Sequence, residues 1–453
     1  MIRTGVNYEG RDPRFVETVL PSAEVVEVTP DTIATLRDGI PVIPRATLDE
    51  LRAIGKPVTL HGIGLSIASA DAMDGGYLGL VDTLMDALDV AWHSEHLGYV
   101  AVDGEHLGTM LVAPRSEETL ELVCGRVAEI RARWNKPFLL EHVVNLLPDP
   151  GGDYTAAGFL NEIVRRSGCG ILLDVYNLEC DAHNGIADVD EFLGELNLDA
   201  VREIHVACGV EDRGLQLDVH SRAARESTLA LLGRVAGMAP NVEAVIFELL
   251  GSAVPSVGYE AIAGEMQRIR AALALMRRQP SAPCPQRPAP AASALPLSEH
   301  QRAMRDLLRG TAVADDPYVR EAAKSTGLQV LRDTVRGWRR YRLDRQCRLT
   351  AAMLKRRGGY DEALERANSP YIEAAANAFL DAAESCGDPL LASVAAFERA
   401  MLRDEAAETS VDWPCDPYPI LGALLGGTEL PEVAFVPHRT IVSNECYGYF
   451  RVE

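Results

Sequence analysis

Nine residues of this chain are placed to share metal ions: His61, His96, Glu141, Asp174, Asn177, His205, Asp218, His220 and Glu248. They stand in short apolar contexts: V-T-L-His61-G, S-E-His96-L-G, L-L-Glu141, L-L-Asp174-V-Y-Asn177, E-I-His205-V-A and I-F-Glu248-L-L, with Asp218 and His220 together in L-D-V-H. A lone histidine is more often a core or surface residue than a ligand. An acid inside an apolar run is rarer, because burying it unpaired is costly. Glu141, Asp174 and Glu248 each follow three or more apolar residues. Six such groups, in phase at the ends of six consecutive runs, argue for one shared purpose. Carboxylates brought that close repel one another unless a cation sits among them.

The donor types narrow the metal. They are imidazole and carboxylate, and no CxxC occurs. That set disfavours iron–sulfur clusters and structural zinc, and suits Zn, Mn or non-haem Fe. Three histidines with three acids exceed one tetrahedral site, so two or three ions are expected. Glu141 could bridge two, and Asn177, Asp218 and His220 could hold a third. Other histidines are read as structural. His93 and His142 fall on the opposite strand face from His96 and Glu141, and His106 and His183 lie in loop-like stretches. Gly62 and Gly64 allow tight packing. Glu27 and Asn7 can point inward, but nothing singles them out as ligands.

These residues need a frame that brings strand ends together. Apolar runs at 3–8, 23–28, 57–62, 91–100, 137–143, 170–176, 201–207 and 244–249 alternate with amphipathic stretches such as SEETLELVCGRVAEIRARW. Strands alternating with helices imply a parallel sheet. Eight such units over residues 1–279 predict a (β/α)8 TIM barrel, whose sites lie at the carboxyl ends of the strands. A doubly wound open sheet is the runner-up, but no GxGxxG follows the first run, so no dinucleotide site is supported. Residues 280–297 form a proline-rich linker, with six prolines in 280–296. Residues 298–453 then read as a smaller α+β domain, helical first and strand-like at the end. Ser298 to Gln301 has the pattern of a capping box, and Gly310 ends the helix it opens.

Charge and composition exclude several classes. The chain of 453 residues is 47% apolar and carries a net charge of -22. That charge argues against a nucleic-acid partner. No apolar run approaches the ~18 residues of a membrane helix, and nothing resembles a signal peptide, so the cytoplasm is expected. Nine scattered cysteines read as reduced thiols. Residues 1–279 hold 23 Lys+Arg against 42 Asp+Glu, whereas 332–357 hold ten against two. Such a basic stretch is either a solvated face or a surface that docks on the acidic barrel or holds an acidic leader peptide.

In order and spacing, HGIGLSIAS, SEHLGY, LLDVYN, EIHVA, LDVHS and FELLGSAVP resemble the multinuclear non-haem iron-dependent oxidases, formerly a domain of unknown function. The resemblance covers about residues 1–275. It implies a barrel with two or three irons and dioxygen as co-substrate, oxidatively modifying a ribosomally made precursor peptide, often at cysteine. It implies iron ligation by His61, His96, Glu141, Asp174, His205 and Glu248, with Asn177, Asp218 and His220 at the third-iron positions. It further implies that 298–453 resembles the separate partner protein that captures the peptide, here fused. The chain departs from the family pattern at His142-Val143-Val144, Tyr176 and Leu249-Leu250. These residues are expected to line the mouth and to bear on substrate identity. Two other readings compete: a di- or trinuclear Zn- or Mn-dependent isomerase or phosphodiesterase on the same barrel, and a non-catalytic metal-bound scaffold.

Overall fold

The computed structural model describes residues 2–276, 295–403, 408–443 and the strand Tyr449–Val452. Most of the proline-rich linker, residues 280–294, lies outside the described residues. Two compact units result, Met1–Arg332 and Asp333–Glu453.

The first unit is the expected barrel. Its strands are β1 (Arg3–Tyr8), β2 (Val25–Val28), β3 (Val58–Gly62), β4 (Val90–His96), β5 (Phe138–Glu141), β6 (Gly170–Asp174), β7 (Val201–Val206) and β8 (Ala244–Phe247). They close in chain order, β8 pairing back onto β1, and every neighbouring pair is parallel. Several helices start where short polar side chains satisfy free N–H groups. Ser116 caps Glu117–Trp134, Thr155 caps Ala156–Ser167 and Asp188 caps Val189–Glu195.

Strand alternation sorts the side chains. Val25, Trp92, Leu139, Leu172, Ala244 and Ile246 form a core cluster of their own. They are the apolar plug of the barrel interior. Moving two residues towards the carboxyl end keeps the same face. From Val25 that step reaches Glu27, from Leu139 Glu141, from Leu172 Asp174 and from Ile246 Glu248. The apolar plug therefore sits beneath a layer of acids and imidazoles.

Some sequence expectations shift. The sixth run stops being a strand at Asp174, and Val175–His183 is a helix. The fourth run ends at His96, and Tyr99–Val102 pairs with Glu105–Leu111 in a hairpin, so His106 is on a strand rather than in a loop. The helix Leu297–Arg309 has no side-chain cap at its start. Gln301 is spent elsewhere: its amide donates to Ala68 O at 2.7 Å and accepts from Ala70 N–H at 2.7 Å. Gly310 does end that helix, at φ +76°.

That helix belongs to the barrel unit. Leu297, Met304 and Leu307, with Val319 and Leu328 further on, are buried in the barrel's main core. Arg302 and Arg305 pair with Asp103. The second compact unit thus begins at Asp333 rather than at residue 298. It packs Leu343, Cys347, Met353, Phe379, Val394 and Trp413 into one core. Its helices are followed or flanked by the antiparallel strands Glu408–Trp413, His438–Ser443 and Tyr449–Val452. Much of the basic stretch is used internally. Arg342 donates to the carbonyls of Ser369 and Pro370, Arg339 to Leu364 O and Asn368, and Arg336 pairs with Asp361. Charge reversal at Arg339 or Arg342 would break structural clamps, so neither is a free handle for a ligand.

Candidate metal centre

The carboxyl ends of β3 to β8 bring the expected residues together. His61 lies in β3, His96, Glu141 and Asp174 end β4, β5 and β6, His205 lies in β7, and Glu248 follows β8. Parallel register sets His96 beside Glu141 and Asp174 beside His205. The His61 ring is 4.5 Å from that of His96 and 5.0 Å from that of His205.

The first three donors share a focus. His61 Nε2 is 3.2 Å and His96 Nε2 3.4 Å from the same oxygen, Glu141 Oε2. Their other polar atoms are already engaged. Ser94 Oγ donates to Leu60 O, so at 3.0 Å it accepts from His61 Nδ1–H. Gly62 O accepts from His96 Nδ1–H at 3.0 Å. Both Nε2 lone pairs are thereby left facing Glu141. Glu141 Oε1 accepts from the Asn177 amide at 3.1 Å. His61 Nε2 and Glu141 Oε2 are buried without a hydrogen-bond partner.

A similar economy governs the rest. Asp174 Oδ1 caps the helix it precedes, accepting from Tyr176 N–H and Asn177 N–H, while Oδ2 is bare. Asn177 spends its amide N–H on Glu141 and His142 O, leaving Oδ1 bare. His220 lies between Asp218 and Glu248, its Nδ1 3.4 Å from Glu248 Oε1. It holds φ +32°, a left-handed conformation that costs about 1–3 kcal/mol and is fixed where its carbonyl accepts from Leu250 N–H. His205 Nδ1 is 2.9 Å from Glu248 Oε2.

Donor atoms close enough to share an ion form five overlapping groups: His61, His96 and Glu141; Glu141, Asp174 and His205; His61, His205 and Glu248; Asp174, Asp218 and His220; and Glu27, Glu203 and His205. Glu141 belongs to two of them. The 3.2 and 3.4 Å separations are what bonds of about 2.1 Å at open angles produce. Bare, buried, convergent N and O atoms are a poor resting state for a protein and a good one for cations. Among the described residues, no lysine or arginine pairs with Glu141, Asp174, Asp218 or Glu248. The residues present therefore fit a multinuclear metal centre.

Protonation without ions reflects the same crowding. Burial lifts Glu141 well above the carboxylate range and, with Asp218, moves Asp174 to about 7. Burial lowers His61 and His96. Burial also opposes charge on His205 and His220, but Glu27 and Glu248 hold the first above its ordinary value, and Asp218 and Glu248 the second. Deeper, burial lifts Glu203 to about 8. Between pH 6.5 and 8 the folded, ion-free chain thus keeps protons that the unfolded chain releases. Its stability is present at the lower pH and lost as pH rises through these values. Ions need deprotonated carboxylates and neutral imidazoles, so their binding strengthens over the same window. Calorimetry should show the ion-free chain melting several degrees lower at pH 8 than at pH 6.5, and ions removing that drop. A pH-independent ion-free melting point would contradict this account.

The remaining residues fall largely where alternation puts them. His93 packs outside against Trp134 and Phe138, with Glu95 at 3.1 Å, and His142 packs against Phe192. Gly62 is obligatory, since a Cβ there would strike Tyr77 Oη and the Glu95 carboxylate. His142 packs on Phe192, Tyr176 with Cys180, Ala207 and Cys208, and Leu249 in the main core, so these three family departures belong to the wall and not to the mouth. The mouth is formed instead by His96, Asp218, His220 and Glu248, the partly exposed members of the set.

Residues 4–274 match the RiPP precursor modification enzyme MbnB/TglH/ChrH family, RiPP denoting a ribosomally made, post-translationally modified peptide. The chain belongs to this family. The matched span contains every residue of the centre. A UPF0276 protein of Caulobacter vibrioides is 33% identical over 190 residues, covering 42% of this chain and 68% of the relative. Another, from Chromobacterium violaceum, is 35% identical over 170 residues, covering 38% and 62%. Among solved structures, a D-psicose 3-epimerase from Clostridium cellulolyticum aligns at a TM-score of 0.37 and 13% identity, over 62% of this chain and 100% of that one. Endonuclease IV from Thermus thermophilus aligns at 0.37 and 16%, over 60% and 99%. No helix among the described residues is long and apolar enough to cross a membrane.

Proposed function

We propose that this member of the family is a multinuclear non-haem iron oxidase that uses dioxygen to modify a precursor peptide at cysteine. The observation that carries the reading is the convergence of His61 Nε2, His96 Nε2 and the bare Glu141 Oε2, with a second donor set one strand away. His61, His96 and Glu141 would hold one ion, and His205, either with Glu248 or with Glu141 and Asp174, a second. Asp174, Asn177, Asp218 and His220 would hold a third. When bound, iron supplies one-electron chemistry with dioxygen and an open position for a thiolate.

The chain's own part is holding and shielding. The buried floor of His61, Glu141, Asp174 and His205 excludes water, and the partly exposed rim admits substrate. Asp218 and His220 at that rim lie where a peptide would enter. Residues 333–453 would capture the peptide, in the cytoplasm where thiols stay reduced.

Protein expressed with ample iron should carry two to three Fe per chain. A cognate cysteine-bearing precursor peptide should change mass only when dioxygen is present, and His205→Ala should be inactive. Full conversion under strict anaerobiosis would exclude the oxidase. Full zinc occupancy with iron-independent turnover would favour the isomerase or phosphodiesterase reading.

A further inference from the structure

Next to the centre lies an acid that the three proposed ion sites do not use. Glu27, on β2, is fully buried and sits two residues above the plug residue Val25. Its Oε2 is 3.2 Å from His205 Nε2. A second fully buried acid, Glu203, lies within ligand-sharing distance of both, and Trp92 Nε1–H donates to it at 2.8 Å. An acid buried this completely without a partner would be costly.

The ring orientations give Glu27 its role. His61 and His96 both turn Nε2 towards Glu141 and anchor Nδ1 on Ser94 and Gly62. His205 is turned the other way: Nδ1 faces Glu248 at 2.9 Å and Nε2 faces Glu27. Each ring has one nitrogen aimed at the centre and one tied to a fixed oxygen. Metal-bound histidines commonly donate their second N–H to a carboxylate or carbonyl, which sets tautomer and ring angle.

We infer that Glu27 is a positioning residue: it accepts a hydrogen bond from His205 Nε2–H and so presents Nδ1, with the opposite ring sense to His61 and His96, to a metal ion beside Glu248. Glu27 touches neither ion nor substrate in this role. The inference rests on reading His205 as a ligand, but not on iron or dioxygen.

The test uses Zn(II)-loaded full-length protein, a diamagnetic probe, with ring-15N NMR and timed release of zinc to a chelator. In the native chain His205 should be metal-bound through Nδ1 and carry a slowly exchanging proton on Nε2, while His61 and His96 show the reverse. Glu27→Leu should make that proton exchange with solvent and speed zinc release about 10- to 100-fold. Glu27→Gln keeps an acceptor oxygen and the side-chain shape, so it should restore most of both readouts. A His205 bound through Nε2 would overturn the assignment, as would native release rates in Glu27→Leu. So would loss of one whole zinc in Glu27→Gln, which would make Glu27 a ligand. If the leucine variant does not fold, the native ring signature and the glutamine variant decide. Failure of the oxidase assay in native protein would leave all these readouts standing and count against the proposed function alone.

Discussion

Glu141→Ala is expected to hold at least one ion fewer than the native chain and to convert peptide at least about 100-fold more slowly. Removing a residue that merely orients a ligand costs about 10–100-fold, and Glu141 offers more than orientation. Its Oε2 faces two imidazole nitrogens, and the side chain also groups with Asp174 and His205. The loss should not come from unfolding. Without ions, burial holds this carboxyl well above its usual range, so the native side chain is a burden on the empty fold. Glu141→Gln avoids a cavity and should leave the ion-free melting point unchanged or raised. Elemental analysis with calorimetry on both variants separates the possibilities. Full metal content in either variant would remove Glu141 from the centre.

Much of this centre is legible in the sequence, because a barrel strand is a short apolar run and an acid at its end is conspicuous. The period of two places His61, Glu141, Asp174, His205 and Glu248 on one inner surface, and the same rule sends His93 and His142 outside. Glu203 was legible by that rule too. It stands two residues before His205 in a strand, yet it looks like an ordinary charged residue unless its depth is considered. Ring orientation was not legible. Whether Nδ1 or Nε2 of a histidine faces inward depends on Ser94, Gly62 O and Glu27, which come from three different strands. Nor was the double duty of Asp174, which ends β6 and caps the next helix with one oxygen while the other stays bare. The family departures at His142, Tyr176 and Leu249 differ from expectation because position after a ligand suggests the mouth, whereas each side chain packs into the core of the wall.

The unit boundary differs from the linker for a related reason, and the difference makes a prediction. Proline content marks where chain geometry changes, but not which core the next helix joins. A chain ending near residue 279 lacks the helix Leu297–Arg309 and the segment to Arg332. It therefore leaves uncovered the part of the barrel core that Leu297, Met304, Leu307, Val319 and Leu328 fill. Each fully buried side chain of this kind is worth about 1.5–3 kcal/mol. It also loses the Gln301 bonds to Ala68 and Ala70. Those residues lie in the loop that follows His61, which Arg126 also holds through the carbonyls of Ile67, Ser69 and Asp71. The loop should loosen, and with it the His61 side of the centre. The shorter chain is expected to aggregate, or to melt at least about 10 °C lower and bind fewer ions. A chain ending at Arg332 should fold and keep its full ion content. If residues 333–453 capture the peptide, that second chain should need far more peptide for the same rate, with kcat at saturation little changed. Soluble, fully metallated protein ending at residue 279 would show that residues 297–332 are dispensable to the barrel. Unchanged KM in the chain ending at Arg332 would assign residues 333–453 a purpose other than capture.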